Sequence, residues 1–250
     1  MNFPDDRLVQ RFALATLWYS FWYSTNDTYL LHDGWLNSTN ECLWDRNDIV
    51  CSPEFTVEGL DLSEDSLSGR IPIEFLLLTQ LTTVSLRNNQ LTGTLPSELL
   101  LLTQISSLDL SINQLTGTVP SELLLLTQIS YLDLSVNQLT GTVPSELGVL
   151  NQTLAHVVLE GNLLTGSLPS ELGLLTQLTY LSLFLNKLTG SLPSELGLMT
   201  QLNLLSLSDN ELMGSMPPSL CSAFIIIDCG EIVCTCCHTG APGPLGDFCP

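Results

Sequence analysis

Between residues 56 and 220 the apolar positions repeat one line, LxxLxLxxNxLTGxLPxELGxLTx, as in LTYLSLFLNKLTGSLPSELGLMTQ at 178–201. The prolines Pro72, Pro96, Pro120, Pro144, Pro169, Pro193 and Pro217 are separated by 24, 24, 24, 25, 24 and 24 residues. A polar position keeps the same register at Asp65, Asn89, Asn113, Asn137, Asn162, Asn186 and Asn210. Two independent markers with one period define seven units. A unit this short cannot bury its own apolar face, so the units must stack.

The pattern also predicts the parts of each unit. The LxL piece has period two and reads as a strand with its leucines facing inward. Pairing with the same strand of the next unit gives a parallel sheet, about 4.8 Å per unit. The asparagine amide both donates and accepts, so it can satisfy buried backbone groups of its own and the neighbouring unit. Asp65 fills that slot in the first unit, where it can only accept. The glycines, such as Gly93, Gly117 and Gly141, suit a positive-φ turn. The proline suits the start of a short helix, and the glutamate two places later (Glu74, Glu98, Glu122, Glu146, Glu171, Glu195) lies in its first turn.

These residues resemble the leucine-rich repeat in its plant-type form, whose mark is LTGxLPxEL followed by GxLTxL. The resemblance covers about residues 56–220. It implies an α/β fold: a curved, right-handed solenoid with a parallel sheet on its concave face. The start resembles the plant-type N-terminal cap, with Asp33-Gly34-Trp35 and a clasp running from Cys42-Leu43-Trp44 to Cys51. This clasp, CLWDRNDIVC, is two residues longer than the family's usual CxWxGVxC and lacks its glycine. The resemblance implies a Cys42–Cys51 disulfide. The end, LCSAFIIIDCGEIVCTCCHTG, resembles the cysteine-rich caps of algal leucine-rich-repeat proteins. The expected organisation is a helical cap over 1–55, seven repeats over 56–220 and a cysteine-rich cap over 221–250.

Composition narrows the partners. Acids outnumber bases 26 to 6, for a formal charge of −20. That balance argues against nucleic acid or an anionic membrane, which need a basic footprint, and favours cationic partners. The eight cysteines are confined to the ends: Cys42 and Cys51, then Cys221, Cys229, Cys234, Cys236, Cys237 and Cys249. This reads as disulfides closing two caps in an oxidising compartment, outside the cell or on its surface. Zinc on Cys234, Cys236, Cys237 and His238 is the alternative for the second group. CxCC packs sulfurs too closely for the usual paired ligands, so no metal or other cofactor is expected. Sequons at Asn26, Asn37 and Asn151 agree with secretion. The start MNFPDDRLVQRFALATLWYS does not read as a leader, and the apolar run Phe12–Tyr23 is too short to span a bilayer. A leader or membrane anchor is therefore expected upstream of Met1, with a cytosolic chain carrying free thiols as the alternative.

No motif for a catalytic triad, a zinc protease, a P-loop or a dinucleotide site occurs, and no enzyme is expected. Binding is expected where the repeats disagree. Around the strand leucines of units four to six, Tyr131, His156, Tyr180 and Phe184 make an aromatic group with Asp109, Asp133 and Glu160 beside it. Aromatics flanked by charge are the make-up of a binding hot spot. The expected function is non-enzymatic recognition of a protein, peptide or glycan on the concave face. The resemblance implies receptor-ectodomain or inhibitor-like roles. The competing class is a structural or adhesive protein that binds polysaccharide, mineral or ice. It would use the Glu row or the hydroxyl rows Thr92/Thr94, Thr116/Thr118, Thr140/Thr142, Thr165/Ser167 and Thr189/Ser191.

Overall fold

A computed structural model describes residues 5–22, 41–43, 48–227 and 232–233. Each unit forms one coil: a three- to five-residue strand, a turn, a second short extended piece and a 3-10 helix. The strands Val57–Asp61, Thr83–Ser85, Ser107–Asp109, Tyr131–Asp133, His156–Val158, Tyr180–Ser182 and Leu204–Ser206 pair in parallel and in register. Two further strands complete a nine-stranded sheet. Ile49–Cys51 pairs antiparallel with the first strand, and Phe224–Ile226 pairs parallel with the last. The middle residue of each three-residue repeat strand points inward: Val84, Leu108, Leu132, Val157, Leu181 and Leu205 are at most 2% exposed.

The asparagines form a ladder through the interior. Asn113 Nδ2 donates to the carbonyls of Leu110 and Ser111 in its own coil and of Leu86 in the preceding one. Its Oδ1 accepts from Leu91 N of the preceding coil. The same four-bond pattern recurs at Asn89, Asn137, Asn162, Asn186 and Asn210, so both halves of each amide are used, as the sequence implied.

The residue before each asparagine occupies the left-handed region. There Asn88, Ile112, Val136, Leu185 and Asp209 hold φ of +51 to +55, and Gly161 holds +64. For the β-branched Ile112 and Val136 this conformation is strained. Coil-to-coil hydrogen bonds hold it in place: Ile112 N donates to Ser135 O and Val136 N to Glu160 O, at 2.9 and 2.8 Å.

The turn glycines are left-handed as expected, for example Gly93 and Gly117 at φ +83. The segments around them do more than turn. Those such as Gln90–Thr94 and Gln114–Thr118 pair with their neighbours into two four-stranded parallel sheets, which the sequence reading did not anticipate. The two sheets meet at the fifth unit, where Leu163 N and Thr165 N still donate to the carbonyls of Leu139 and Gly141. The extra residue between Pro144 and Pro169 is absorbed in the 3-10 helix of the fourth unit, Ser145–Leu150, which has six residues where its neighbours have five.

The prolines precede these helices rather than starting them. Pro96, for example, is the N-cap of Ser97–Leu101, and Glu98 in the first turn accepts from Ser97 Oγ at 3.3 Å. The packing between successive 3-10 helices depends on one position. Units one to three carry Leu76, Leu100 and Leu124, whereas units four to six carry Gly148, Gly173 and Gly197. A Cβ at Gly148 would lie 2.4 Å from Glu171 O, and one at Gly173 2.2 Å from Glu195 O. Backbones therefore approach closely in the second half and cannot do so in the first.

The helix Asp5–Trp22 covers the first coil and buries Ala13, Leu14 and Leu17. It is tied to the clasp through the fully buried Glu41, which pairs with Arg7 at 3.1 Å and accepts from Gln10 at 2.9 Å. Burial works against the Glu41 charge. The hydrogen bonds from Arg7, its own backbone and Gln10, with the Arg7 charge, outweigh it and hold the carboxyl below its usual range. Cys42 and Cys51 are joined by a disulfide with Cα atoms 5.9 Å apart. Among the described residues no helix is long and apolar enough to cross a membrane, and no His/Cys/Asp/Glu cluster suits a metal ion. Cys229, Cys234, Cys236, Cys237, Cys249, Asn26 and Asn37 lie outside the described residues, as does the side chain of Cys221.

Candidate functional site

The exposed face of the large sheet carries the residues on either side of each inward strand residue. Parallel, in-register pairing places Tyr131, His156 and Tyr180 directly opposite one another on consecutive strands. Their rings make a ladder: Tyr131 to His156 is 6.0 Å between centroids at 39°, and His156 to Tyr180 is 6.1 Å at 22°. Phe184 makes no ring contact with this ladder among the described residues. It lies four residues beyond Tyr180, roughly 13 Å along an extended chain.

The three carboxylates are already engaged within the protein. Asp109 Oδ1 accepts from the backbone N and Oγ of Ser111 at 2.9 and 2.6 Å. Asp133 accepts from Ser135 in the same way, and its other oxygen accepts from Tyr131 Oη at 3.2 Å. Glu160 accepts from Ser182 Oγ of the next coil at 2.5 Å. Arg87 Nη1 donates to Ser111 Oγ and brings the nearest cation to this end of the site. Asp133 is only 5% exposed, so it reaches the surface of this face through its field and by fixing Tyr131 rather than by direct contact.

These surroundings set the protonation of the site. Burial, then the charges of Asp133 and Asp109, push the Tyr131 phenol up to about 12. Burial, followed by Glu160 and Asp133, also raises Tyr180. Burial is the main cause that raises Asp133, aided by Asp109 and opposed by the Ser135 hydrogen bonds. Both phenols therefore remain hydrogen-bond donors at neutral pH. The result is a rigid aromatic strip, one ring per coil, in a negative field. Such a strip can stack on planar groups and attract cations to its ring faces.

The strip also extends further than the repeats predicted. Tyr180 pairs with Leu204, and Leu204 with Phe224, which is 52% exposed. Tyr131, His156, Tyr180, Leu204 and Phe224 thus form one row. Phe224 was missed because its segment was read as cap. The alternation in Phe224-Ile225-Ile226 was the available signal.

A family model described as Leucine Rich Repeat matches residues 80–102, 128–150, 177–199 and 201–223. The ectodomain of the Arabidopsis receptor kinase HAESA, solved with the peptide hormone IDA and the co-receptor SERK1, is 31% identical. It superposes with a TM-score of 0.77 over 90% of this chain and 38% of its own. The chain is a plant-type leucine-rich-repeat protein. The ectodomain of the Arabidopsis thaliana receptor kinase GASSHO1/SCHENGEN3, in complex with CASPARIAN STRIP INTEGRITY FACTOR 2, is 36% identical with a TM-score of 0.66. There the match covers 70% of this chain and 21% of that one. This leucine-rich-repeat protein therefore spans between a fifth and two fifths of these receptor ectodomains. A plant ice-binding protein shares the fold over nearly its whole length, with 24% identity, a TM-score of 0.71 and 91% and 87% coverage. A comparison with curated proteins finds no match.

Asn151, the third sequon, lies at the end of the longer 3-10 helix, partly exposed, and its Oδ1 accepts from Gln152 at 3.1 Å. This places it away from the aromatic row.

Proposed function

We propose that this leucine-rich-repeat protein is an extracellular recognition module that binds a peptide along the exposed face of its large sheet without transforming it. The observation that carries the reading is the in-register Tyr131–His156–Tyr180 ladder set among Asp109, Asp133 and Glu160. An extended peptide crossing the coils would lay side chains on consecutive rings, and a Lys or Arg would find both a ring face and negative field. That the HAESA ectodomain was solved with a peptide hormone supports a peptide over a glycan. Asn26, Asn37 and Asn151 would carry glycans, and the cysteines near the end would close the second cap.

The test is selection of peptides from a displayed random library. Selected peptides are expected to be rich in Lys and Arg. The double substitution Tyr131→Ala/Tyr180→Ala should weaken them by roughly a hundredfold, since each ring is worth about 1–2 kcal/mol, while the melting temperature holds. Undiminished binding by that variant would rule the site out.

One observation favours a second reading. Thr92, Thr116, Thr140 and Thr165 are exposed and stacked, and each Oγ1 donates to the glycine carbonyl of the preceding coil, which fixes its orientation. Thr94, Thr118 and Thr142 lie two residues on, also exposed. A fixed hydroxyl–methyl lattice of this kind could order water against ice or a crystalline polysaccharide. Growth inhibition of ice crystals by the isolated chain, lost in Thr92→Lys/Thr116→Lys/Thr140→Lys, is the expected outcome. No effect of the unaltered chain on crystal growth or shape counts against the ice reading.

A further inference from the structure

The 3-10 helices stack side by side from coil to coil. In a 3-10 helix, residues i and i+3 eclipse one another. The glutamate of each unit therefore shares a face with the residue three places on: Leu77, Leu101, Leu125, Val149, Leu174 and Leu198. These six are apolar without exception. Five are exposed large hydrophobics, from 38% at Leu77 to 63% at Val149, and Leu125 is partly exposed. The stack thus presents a continuous apolar ridge with a parallel row of carboxylates along one side. At its N-terminal end the ridge meets an open, mixed pocket of about 510 Å³ between the first two coils, lined by Leu76, Leu101 and Leu102 together with Thr79, Gln80, Thr103 and Gln104. None of the chain's six basic residues lies in these helical segments, and among the described residues no ion pair reaches the carboxylate row.

We infer that this ridge is a second docking surface, independent of the sheet face, and that its occupant is a cationic amphipathic α-helix of another protein. Two features select that occupant. The ridge offers one apolar side chain per coil in a single line, which an amphipathic α-helix meets with the apolar stripe along its one face. The flanking carboxylates call for Lys or Arg beside the apolar stripe of the partner. A second copy of this chain would set Glu row near Glu row with −20 on each molecule, and an anionic lipid surface would be repelled in the same way.

The probe is a synthetic Leu/Lys helix of about 20 residues, roughly 30 Å long, with its leucines on one face. Binding is followed by fluorescence anisotropy beside a scrambled peptide of equal composition. The amphipathic peptide should bind roughly tenfold or more tighter than the scrambled one. Val149→Ser/Leu174→Ser/Leu198→Ser should erase that difference. Glu122→Gln/Glu171→Gln/Glu195→Gln should weaken binding comparably and flatten its salt dependence, since it leaves the apolar ridge intact. Repeating the comparison in the Tyr131→Ala/Tyr180→Ala background removes the Lys- and Arg-seeking sheet face, and the preference for the amphipathic over the scrambled peptide should persist there, which separates this surface from the peptide site. Equal affinity for the scrambled peptide, or full binding by both ridge variants, would reduce the interaction to adsorption of a polycation on an acidic chain and overturn the inference. Should the serine variant lose its fold, the glutamine variant decides.

Discussion

Replacing Asn137 with alanine is expected to destabilise the protein by about 3–5 kcal/mol, enough to melt the middle of the solenoid well below the unaltered chain. The amide is 8% exposed and makes four hydrogen bonds, all to backbone. Nδ2 serves the carbonyls of Leu110, Leu134 and Ser135 at 3.0, 3.2 and 3.1 Å, and Oδ1 accepts from Leu115 N at 2.9 Å. Alanine leaves all four groups without that partner, two of them in the preceding coil. Water cannot readily replace it between stacked coils. Ser135 O also accepts from Ile112 N, so the lesion reaches the strained turn of unit three. Chemical denaturation followed by circular dichroism measures the loss. The transition should also broaden, because a solenoid with a weak central junction no longer unfolds as one unit. A cost below about 1 kcal/mol would mean that the ladder is not what binds coil to coil.

The second large effect is expected at Gly173. Leucine, the residue at the equivalent place in unit two, should cost about 3 kcal/mol or more. The first side-chain carbon would lie 2.2 Å from Glu195 O and 2.6 Å from Glu195 C, so the obstacle is the backbone of the next coil and not a side chain that can rotate away. The two 3-10 helices would have to part, disturbing the contacts of Leu172 and Leu196, both fully buried. Leu100 sits in the equivalent place of unit two fully buried, because the coils there were built around it. Urea midpoints of Gly173→Ala and Gly173→Leu should fall in that order. Equal stability of all three proteins would refute the close-approach account.

Much of this was legible in the sequence because the repeat writes each rule seven times. The inward leucines, the asparagine ladder, the left-handed glycines and the register of Tyr131, His156 and Tyr180 all follow from period and alternation. What escaped depends on what a neighbouring coil does to a locally ambiguous segment. QLTGT carries a turn glycine and threonines, and only stacking makes it a strand. The serines that occupy Asp109, Asp133 and Glu160 were visible as letters, but their hydroxyl directions were not. Phe184 shares a strand direction with Tyr180 but not a ring neighbour, since sequence proximity in a coil runs across the stack while ring contact runs along it. The ridge from Leu77 to Leu198 was hidden in plain apolar runs such as ELLLL, where nothing short of the helix type says which leucine faces water.

The junction of the fourth and fifth units has a mechanical consequence. Its added residue is taken up in the 3-10 helix, and the coil-to-coil hydrogen bonds continue past it on both the large sheet and the Thr-Gly segments. Those bonds all point along the long axis. A pull on the two ends would therefore load the coil junctions in series, and the resistance of the whole would be that of its weakest junction rather than the sum of them all.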